Sequence, residues 1–323
     1  MGIELELLAP PRRSRRRLAD EIAGKIGGRV AMNWHYDSDR SQHPEFGSFA
    51  YLTPAFDVIG RHGRAFVRLA DDATIVTDLD RTAPGAQGWR RLLAGDREWL
   101  NRLKPYLAPL ADLDERVAEA AAALDLRVEP RGRRLCLLDG DGGLVAEVAG
   151  VTGERPRVAE AISPPLTSGV ETWVELVIGT ADELDFGLPI EGATHLHYDA
   201  EPFRTPAAFR RLVLAFSGDL ADVRRRFASN TNCRGIGPLD PALAAVVQAD
   251  DYDGLSWEEV RQRCRATGVV TKYCDVNLQH ILADVPRIDT VEFRMLPATL
   301  DPAQFAHLHG EVEALIDSIV APD

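Results

Sequence analysis

The sequence GIELEL at residues 2–7 alternates apolar and charged residues, and THLHYD at 194–199 and TVEFRM at 290–295 show a similar alternation. Alternate side chains of a β-strand point to opposite faces of a sheet. Each stretch is therefore predicted to form a strand with one polar and one apolar face. The polar side chains are Glu4, Glu6, His195, His197, Asp199, Glu292 and Arg294. Three such strands from distant parts of the chain indicate one polar sheet face, suited to a metal ion and a phosphate.

The composition favours a folded α+β protein. The chain has 323 residues, of which 45% are hydrophobic, and this suits one large domain or two modest domains with a real core. Helical and strand patterns mix without regular βαβ alternation, and no repeat or low-complexity linker divides them. We therefore predict a single domain over residues 1–323, with a largely antiparallel sheet backed by helices.

Charge and hydropathy argue against several classes of partner. The 37 basic and 50 acidic residues give a formal net charge of −13, which disfavours nucleic-acid binding because phosphate attraction requires a basic surface. No apolar run has the length of a membrane span, and the N-terminus carries acids where a signal peptide has a basic region and an apolar core. We expect a cytoplasmic protein with no membrane partner.

Two local patterns predict how the chain surrounds the polar strands. Residues 36–54 are polar and contain Pro44 and Gly47, which predicts a long loop. A loop of this length is a candidate cover for a reactive site. Residues 64–69 and 74–79 are rich in β-formers and predict a hairpin.

The helix signals are stronger than the loop signals. Ser14 is a plausible N-cap for a helix over residues 14–26, which Gly27 and the following glycine would end. Asp301 precedes a proline at the first position of an amphipathic helix over 301–320.

The polar residues of the first two strands suit metal or phosphate binding. Glu4 and Glu6 on one strand face would lie roughly 6–7 Å apart, and hard divalent cations prefer such oxygen ligands. His195 and His197 would place two imidazoles on one side of a strand, which is common in metal sites. Taken alone, the two acids are better explained by an edge strand with a solvated face. Two ordinary surface or core histidines explain the second pattern equally well.

The third strand adds a carboxylate beside a guanidinium. Glu292 and Arg294 share a face, and one interpretation is a simple ion pair within the strand. The other is a metal ligand next to an arginine that stabilises the charge of a transferred phosphoryl group.

Taken in order, these stretches resemble the amidoligases of the glutamine synthetase and γ-glutamylcysteine ligase superfamily. The resemblance runs from GIELEL through GERPRVAEAISPPL at 153–166, THLHYDAEPFR at 194–204 and NTNCRG at 230–235 to TVEFRM. It implies a glutamine synthetase-like antiparallel sheet whose concave polar face holds ATP and one or more Mg²⁺ ions. It also implies an ATP-dependent carboxylate–amine ligase that forms an amide or isopeptide bond through an acyl phosphate.

The resemblance also implies roles for particular residues. The implied metal ligands are Glu4, Glu6, Glu160, His197 and Glu292. The implied nucleotide contacts are His195, His197, Arg294 and Arg155. The implied catalytic residues are Arg294, Glu160 and Arg157. The expected partners are a small-molecule or peptide carboxylate and an amine, and a homo-oligomer is compatible with the superfamily.

Two other functions remain open on the sequence. His195, His197 and Glu201 have the HxHx3E spacing of a three-ligand site in a cupin-like oxygenase or hydrolase. A non-catalytic member that binds a nucleotide or a peptide is the second alternative.

Overall fold

The structure is a computed structural model that describes residues 1–11, 13–36, 41–72, 75, 77–78, 90–109, 113–132, 134–150, 158–286 and 288–322. These residues form two compact units. The first unit contains residues 1–6, 163–179 and 188–323, and the second contains residues 7–162 and 180–187. The single-domain prediction stays a prediction.

Strands and helices alternate irregularly along the described chain. The strands are β1 Gly2–Leu8, β2 Arg29–Tyr36, β3 Ser41–His43, β4 Gly47–Ile59, β5 Ala65–Asp71, β6 Arg90–Ala94, β7 Arg127–Arg131, β8 Arg134–Leu138, β9 Leu144–Gly150, β10 Val158–Ile162, β11 Ala193–Asp199, β12 Val276–Asn277 and β13 Thr290–Pro297. The α-helices are α1 Arg15–Ile26, α2 Arg97–Leu103, α3 Leu113–Ala123, α4 Val170–Glu183, α5 Pro206–Ala215, α6 Ala221–Arg226, α7 Pro241–Val247, α8 Trp257–Ala266 and α9 Pro302–Val320.

The first unit is built on the three strands that the alternating pattern predicts. Its antiparallel sheet has the order β12, β13, β11, β1. The apolar members of the alternation are fully buried, among them Ile3, Leu196 and Phe293. The ring of Phe293 lies against Phe203 and Phe216, which follow β11 and α5 in sequence. Packing of this apolar face leaves the opposite, polar face to carry the charged residues.

The second unit is an antiparallel sheet with the strand order β10, β5, β4, β6, β9, β8, β7, and β2 and β3 also pair with β4. One of its core clusters lies under α2 and α3, where Leu52, Leu92 and Val148 of the sheet are buried together with Leu100 and Val117 of the helices. The helix α1 packs on β4 and β5. The predicted α+β architecture, a large antiparallel sheet backed by helices, is confirmed.

Both predicted caps are confirmed. The Ser14 side chain accepts a hydrogen bond from the Arg17 N–H, and Gly27 ends α1 in the left-handed region at φ 60°. The Asp301 side chain accepts from the Ala303 N–H at the start of α9. Both helices therefore begin at the residues that the capping rule indicates.

Two connections differ from the prediction. The loop predicted over 36–54 is wrong for residues 36, 41–43 and 47–54, which belong to β2, β3 and β4, while 37–40 lie outside the described residues. Tyr51 and Leu52 point to opposite faces and both are buried, so β4 is a central strand. The hairpin is also wrong, because the described residues 75, 77 and 78 are not in a strand and β5 pairs with β4 and β10.

Candidate functional site

The strand register of the first unit brings the predicted polar residues into two adjacent rows. Glu4 of β1 lies opposite His195 of β11. His197 lies opposite Glu292 of β13, and Glu292 in turn lies opposite Asn277 of β12. Residues directly opposite on antiparallel strands share a face and interact through their side chains. The sheet therefore gathers acids, imidazoles and an amide that are far apart in sequence.

His195 lies at the centre of three carboxylates. Its Nδ1 is 3.1 Å from a Glu4 oxygen and 3.5 Å from a Glu292 oxygen, and its Nε2 is 3.6 Å from a Glu6 oxygen. The His195 side chain is only 4% exposed. Since both ring nitrogens face carboxylates, His195 orients acids instead of offering a lone pair to a metal.

His197 has a different environment. Its Nδ1 lies 3.3 Å from the Thr290 hydroxyl, which fixes the ring. Its Nε2 lies 3.3 Å from a Glu4 oxygen and 4.0 Å from a Glu292 oxygen, yet makes no hydrogen bond of normal geometry within the described structure. One ligand atom from each of Glu4, His197 and Glu292 lies within 4.8 Å of the other two. We refer to Glu4, His197 and Glu292 together as the triad.

Glu292 is held from two sides. The Asn277 amide donates to one carboxylate oxygen at 2.7 Å, and the Arg294 guanidinium donates to the other. The Gln279 N–H donates to the Asn277 side-chain oxygen at 2.9 Å, so the amide group must present its nitrogen to Glu292. Glu292 is therefore fixed before any ligand binds.

Glu6 is also tied into the backbone of the sheet. One of its oxygens accepts a hydrogen bond from the Ala193 N–H at 2.7 Å, and the side chain is almost completely buried. The predicted residues Glu4, Glu6, His195, His197, Glu292 and Arg294 thus all lie on the polar face of the first unit.

The pKa shifts follow from burial opposed by opposite charges. Burial alone would raise the pKa of Glu4, but the charge of His197 and the hydrogen bond from His195 hold it well below its ordinary value. Glu292 is likewise buried, yet Arg294 and the two imidazoles lower its pKa. Both carboxyl groups are therefore ionised at neutral pH.

The pKa values of the two histidines are shifted in opposite directions. Burial and the positive charge of Arg294 lower the pKa of His195. Burial also acts against protonation of His197, but the charges of Glu4 and Glu292 outweigh it and raise its pKa. His197 thus lies where a positive charge is most favourable, which is also where a metal cation would be most strongly attracted.

The donor set of the triad fits a divalent cation. Two ionised carboxylates and one imidazole with an unused nitrogen can replace several water ligands, and carboxylate oxygens suit Mg²⁺ or Mn²⁺. The buried His197 Nε2 makes no hydrogen bond within the described structure, and a bound cation would give this atom a partner. A site with a single imidazole suits Mn²⁺ at least as well as Mg²⁺.

Three predicted site residues lie elsewhere or outside the described residues. Glu160 lies on β10 of the second unit, opposite Ala70. Within that unit, carboxylate oxygens of Asp72 and Glu160 lie within 4.8 Å of each other. Arg155 and Arg157 fall in the segment 151–157, outside the described residues. The roles predicted for these three residues stay predictions.

The HxHx3E interpretation gains no support from the geometry. Glu201 begins a short 3₁₀ helix, its side chain is 73% exposed, and it forms an ion pair with Arg204 at 2.7 Å. Among the described residues, no group of side chains able to hold a metal includes Glu201. The three residues of the proposed cupin-like site are therefore not gathered around one point.

Sequence reasoning did not assign a role to Asn277 or Thr290. Asn277 stands in the polar stretch KYCDVN at 272–277, where no alternation marks the two-residue strand β12. Thr290 is the first residue of the alternating stretch at 290–295 and shares a face with Glu292, but its hydroxyl was not assigned a role. Only the pairing of strands shows that the side chains of both residues hold members of the triad.

No helix among the described residues is long and apolar enough to cross a membrane. Comparison with known proteins gave no match to this chain among family models, curated proteins or solved structures.

Proposed function

We propose that this protein is an ATP- and Mg²⁺-dependent carboxylate–amine ligase with a glutamine synthetase-like fold, which forms an amide or isopeptide bond through an acyl phosphate. The observation that carries the proposal is the triad, in which three strands from the two ends and the middle of the chain place two ionised carboxylates and one imidazole within 4.8 Å. Acids that converge in this way, one of them buried and one partly buried, are costly unless they bind a ligand.

In this proposal Glu4, His197 and Glu292 hold the metal ion. A bound Mg²⁺ would offset the negative charge of ATP phosphates and lower the barrier to phosphoryl transfer. His195 keeps the carboxylate of Glu4 oriented toward that position, since its Nδ1 lies 3.1 Å from Glu4. The orienting hydrogen bond acts as the outer partners of metal ligands commonly do.

Arg294 is the residue best placed to contact the transferred phosphoryl group. Its side chain is 14% exposed and donates from one terminal nitrogen to Glu292, while its Nε makes no hydrogen bond within the described structure. Guanidinium groups bind phosphate oxygens with two parallel hydrogen bonds. Arg294 can therefore keep its bond to Glu292 and still offer donors to a phosphate.

The experiment that tests the proposal traps the acyl phosphate. Purified protein is incubated with ATP, Mg²⁺, a panel of amino acids, dicarboxylic acids and short peptides, and hydroxylamine in place of the amine. We expect ADP release that depends on one class of acid, together with an equal amount of the hydroxamate. Glu4→Gln, which keeps the side-chain size but removes a charge from the triad, should reduce turnover by at least about 100-fold.

Glu201→Gln is the matched control, because it removes the acid that the cupin-like alternative requires. It should leave ADP release unchanged. Loss of activity in Glu201→Gln with full activity in Glu4→Gln would contradict the ligase proposal. Binding of Mg²⁺–ATP without ADP formation across the panel would instead favour the non-catalytic alternative.

A further inference from the structure

The first half of α4 and the helix α9, both in the first unit, line a groove with a volume of about 610 Å³. Buried side chains, among them Val174 and Phe305, lie at its base. The exposed residues Ala303, Ala306 and Gly310 of α9 line it on one side. The groove therefore has an apolar base and is open to solvent, and its volume is within the range of ligand-binding sites.

The groove lies on the side of the sheet that faces away from the triad. His309 lines the groove, and its ring stacks against that of Tyr198 with 6.4 Å between the ring centres. Tyr198 directly follows His197 on β11, and successive side chains of a strand point to opposite faces. A molecule bound in the groove is therefore separated from the triad by the sheet.

The rim of the groove is acidic. Glu171 and Glu175 of α4 line it together with Asp301 and Glu313 of α9. Neither helix contains a lysine or an arginine. Within the described part of the chain, Glu171 and Glu175 form no salt bridge. The charge of the Met1 ammonium acts on the groove histidine, but four carboxylates face this one ammonium group, and the rim keeps a net negative charge.

Helix capping explains only part of this charge. Asp301 caps α9 and Glu171 lies in the first turn of α4, where a carboxylate stabilises a helix. Glu175 and Glu313 lie beyond the first turns. Glu313 is 3.3 Å from the Nε2 of His309, but burial outweighs the nearby carboxylates and lowers the pKa of His309. The imidazole is therefore neutral at neutral pH and does not compensate the charge of Glu313.

Small side chains allow another helix to approach α9 closely. Ala303, Ala306 and Gly310 are spaced three and four residues apart, so they form one stripe along the exposed side of the helix. The distance between packed helices depends on the side chains at their contact, and small ones permit the shortest distance. Lysine and arginine side chains lay their alkyl stems along apolar surface and keep their charges at its edge. The shape and charge of the groove therefore fit a helix with an apolar face and basic flanks.

We propose that the groove between α4 and α9 is a docking site for a basic amphipathic helix of a partner protein. The apolar face of that helix covers Val174, Phe305 and the small residues of α9, and its lysine or arginine side chains lie beside the acidic rim. Charge complementarity selects the partner, because the acids attract a basic segment and repel an acidic one. A second copy of this chain is a poorer occupant, since its formal net charge is −13. The inference goes beyond the proposed ligase activity, and the groove shares no residue with the triad.

Isothermal titration calorimetry on the full chain tests the proposal with two synthetic probes. The first is a capped peptide of about 14 residues, composed of leucine, alanine and lysine in an amphipathic helical pattern. The second has the same composition in a scrambled order, which keeps the charge but removes the apolar face. Wild-type protein should bind the amphipathic peptide with a saturable one-to-one isotherm and the scrambled peptide at least about tenfold more weakly.

Two double variants with the same change in net charge locate the binding. Glu171→Lys with Glu175→Lys reverses the charge of one wall of the groove and should weaken binding of the amphipathic peptide at least about tenfold, because attraction becomes repulsion. The matched control is Glu115→Lys with Glu119→Lys, since these acids of α3 have the same spacing and are also exposed but lie outside the groove. It should bind within about twofold of the wild type.

A second pair of variants tests the shape of the groove. Ala306→Trp places a large side chain in the groove and should weaken binding of the amphipathic peptide at least about tenfold. Ala314→Trp, which is also exposed on α9 but lies outside the groove, should bind as the wild type does.

Absence of saturable binding of the amphipathic peptide to wild type would overturn the proposal. Equal weakening by the two double variants would also overturn it, because it would show attraction to net charge alone. Tighter binding of spermine than of the peptide would assign the groove to a small polyamine instead. Self-association in sedimentation velocity that is lost in Ala306→Trp but kept in Ala314→Trp would assign it to a second copy of the chain.

Discussion

The two units bury acidic side chains in different ways. On the first unit's sheet, Glu4, Glu6 and Glu292 converge around the single imidazole of His195. In the second unit, Glu147 is as deeply buried but stands beside one guanidinium and one imidazole, Arg134 at 3.0 Å and the His43 ring at 3.6 Å. A single buried acid with its own cationic partners is sufficiently explained by its role in the fold. Several acids that share one imidazole are not explained in this way, and we therefore propose a binding function for the first group.

The largest expected effect concerns the arginines that neutralise these acids. Arg294→Leu leaves the buried carboxylate of Glu292 without its guanidinium, and it should lower the free energy of unfolding by about 3–5 kcal/mol. Arg134→Leu should cost only about 1–2 kcal/mol, because Arg134 is 39% exposed and His43 stays beside Glu147. Urea denaturation of both variants at neutral pH with a chelator measures the difference. Equal losses would show that the two groups of acids are energetically alike.

A smaller effect distinguishes metal binding from plain stability. Asn277→Ala removes the amide that fixes Glu292, so Mn²⁺ affinity should fall about 10- to 100-fold, as is usual when the outer partner of a metal ligand is lost. Calorimetric titration of the apoprotein measures this affinity without any need for substrates. The control is Asn230→Ala, since the Asn230 amide donates only to the backbone oxygens of Ile190 and Gly192. An equal loss of affinity in both variants would assign Asn277 a merely structural role.

The smallest effect is a pH dependence in the second unit. Asp57 is bound by the Arg68 guanidinium at 2.6 and 2.9 Å, and although burial acts in the opposite direction, the hydrogen bonds from Arg68 and Asn33 lower the pKa of Asp57. A depressed pKa in the folded state stabilises the fold above the unfolded pKa of about 3.9, and this stabilisation is lost as the pH falls through the folded value. The contribution should be about 1 kcal/mol, because Arg68 is partly exposed.

Unfolding free energies of wild type and Asp57→Asn from pH 6 down to pH 2.5 measure this contribution. The two curves should converge as the acid is protonated. A constant difference between them over the whole range would contradict the assigned shift, because it would mean that the charge of Asp57 does not stabilise the pair.

The sequence predicted the polar face well because period-two alternation depends only on neighbouring residues. This alternation assigned Glu4, His197 and Glu292 to the polar faces of their strands. The caps at Ser14 and Asp301 were likewise predictable from residues that are near in sequence. Strand partners are not local. The polar residues before Gly47 led to the prediction of a loop where β4 begins. The residues around β5 contain no signal that β10 would pair with it.

The roles of individual residues were harder to predict than their faces. His195 and His197 are two positions apart on one strand and have the same chemistry in the sequence. Only the register shows that His195 faces carboxylates with both nitrogens, while the Nε2 of His197 makes no hydrogen bond in the described structure. The pairing of Asn277 with Glu292 likewise depends on β12 lying beside β13.

The central claim is that His197, with Glu4 and Glu292, ligates a divalent cation. Pulsed electron paramagnetic resonance of the protein loaded with one equivalent of Mn²⁺ tests it directly, since a coordinated imidazole nitrogen modulates the signal of the bound ion. We predict nitrogen coupling in the wild type and in His195→Gln, and its loss in His197→Gln. Coupling that persists in His197→Gln, or that disappears only in His195→Gln, would contradict the account.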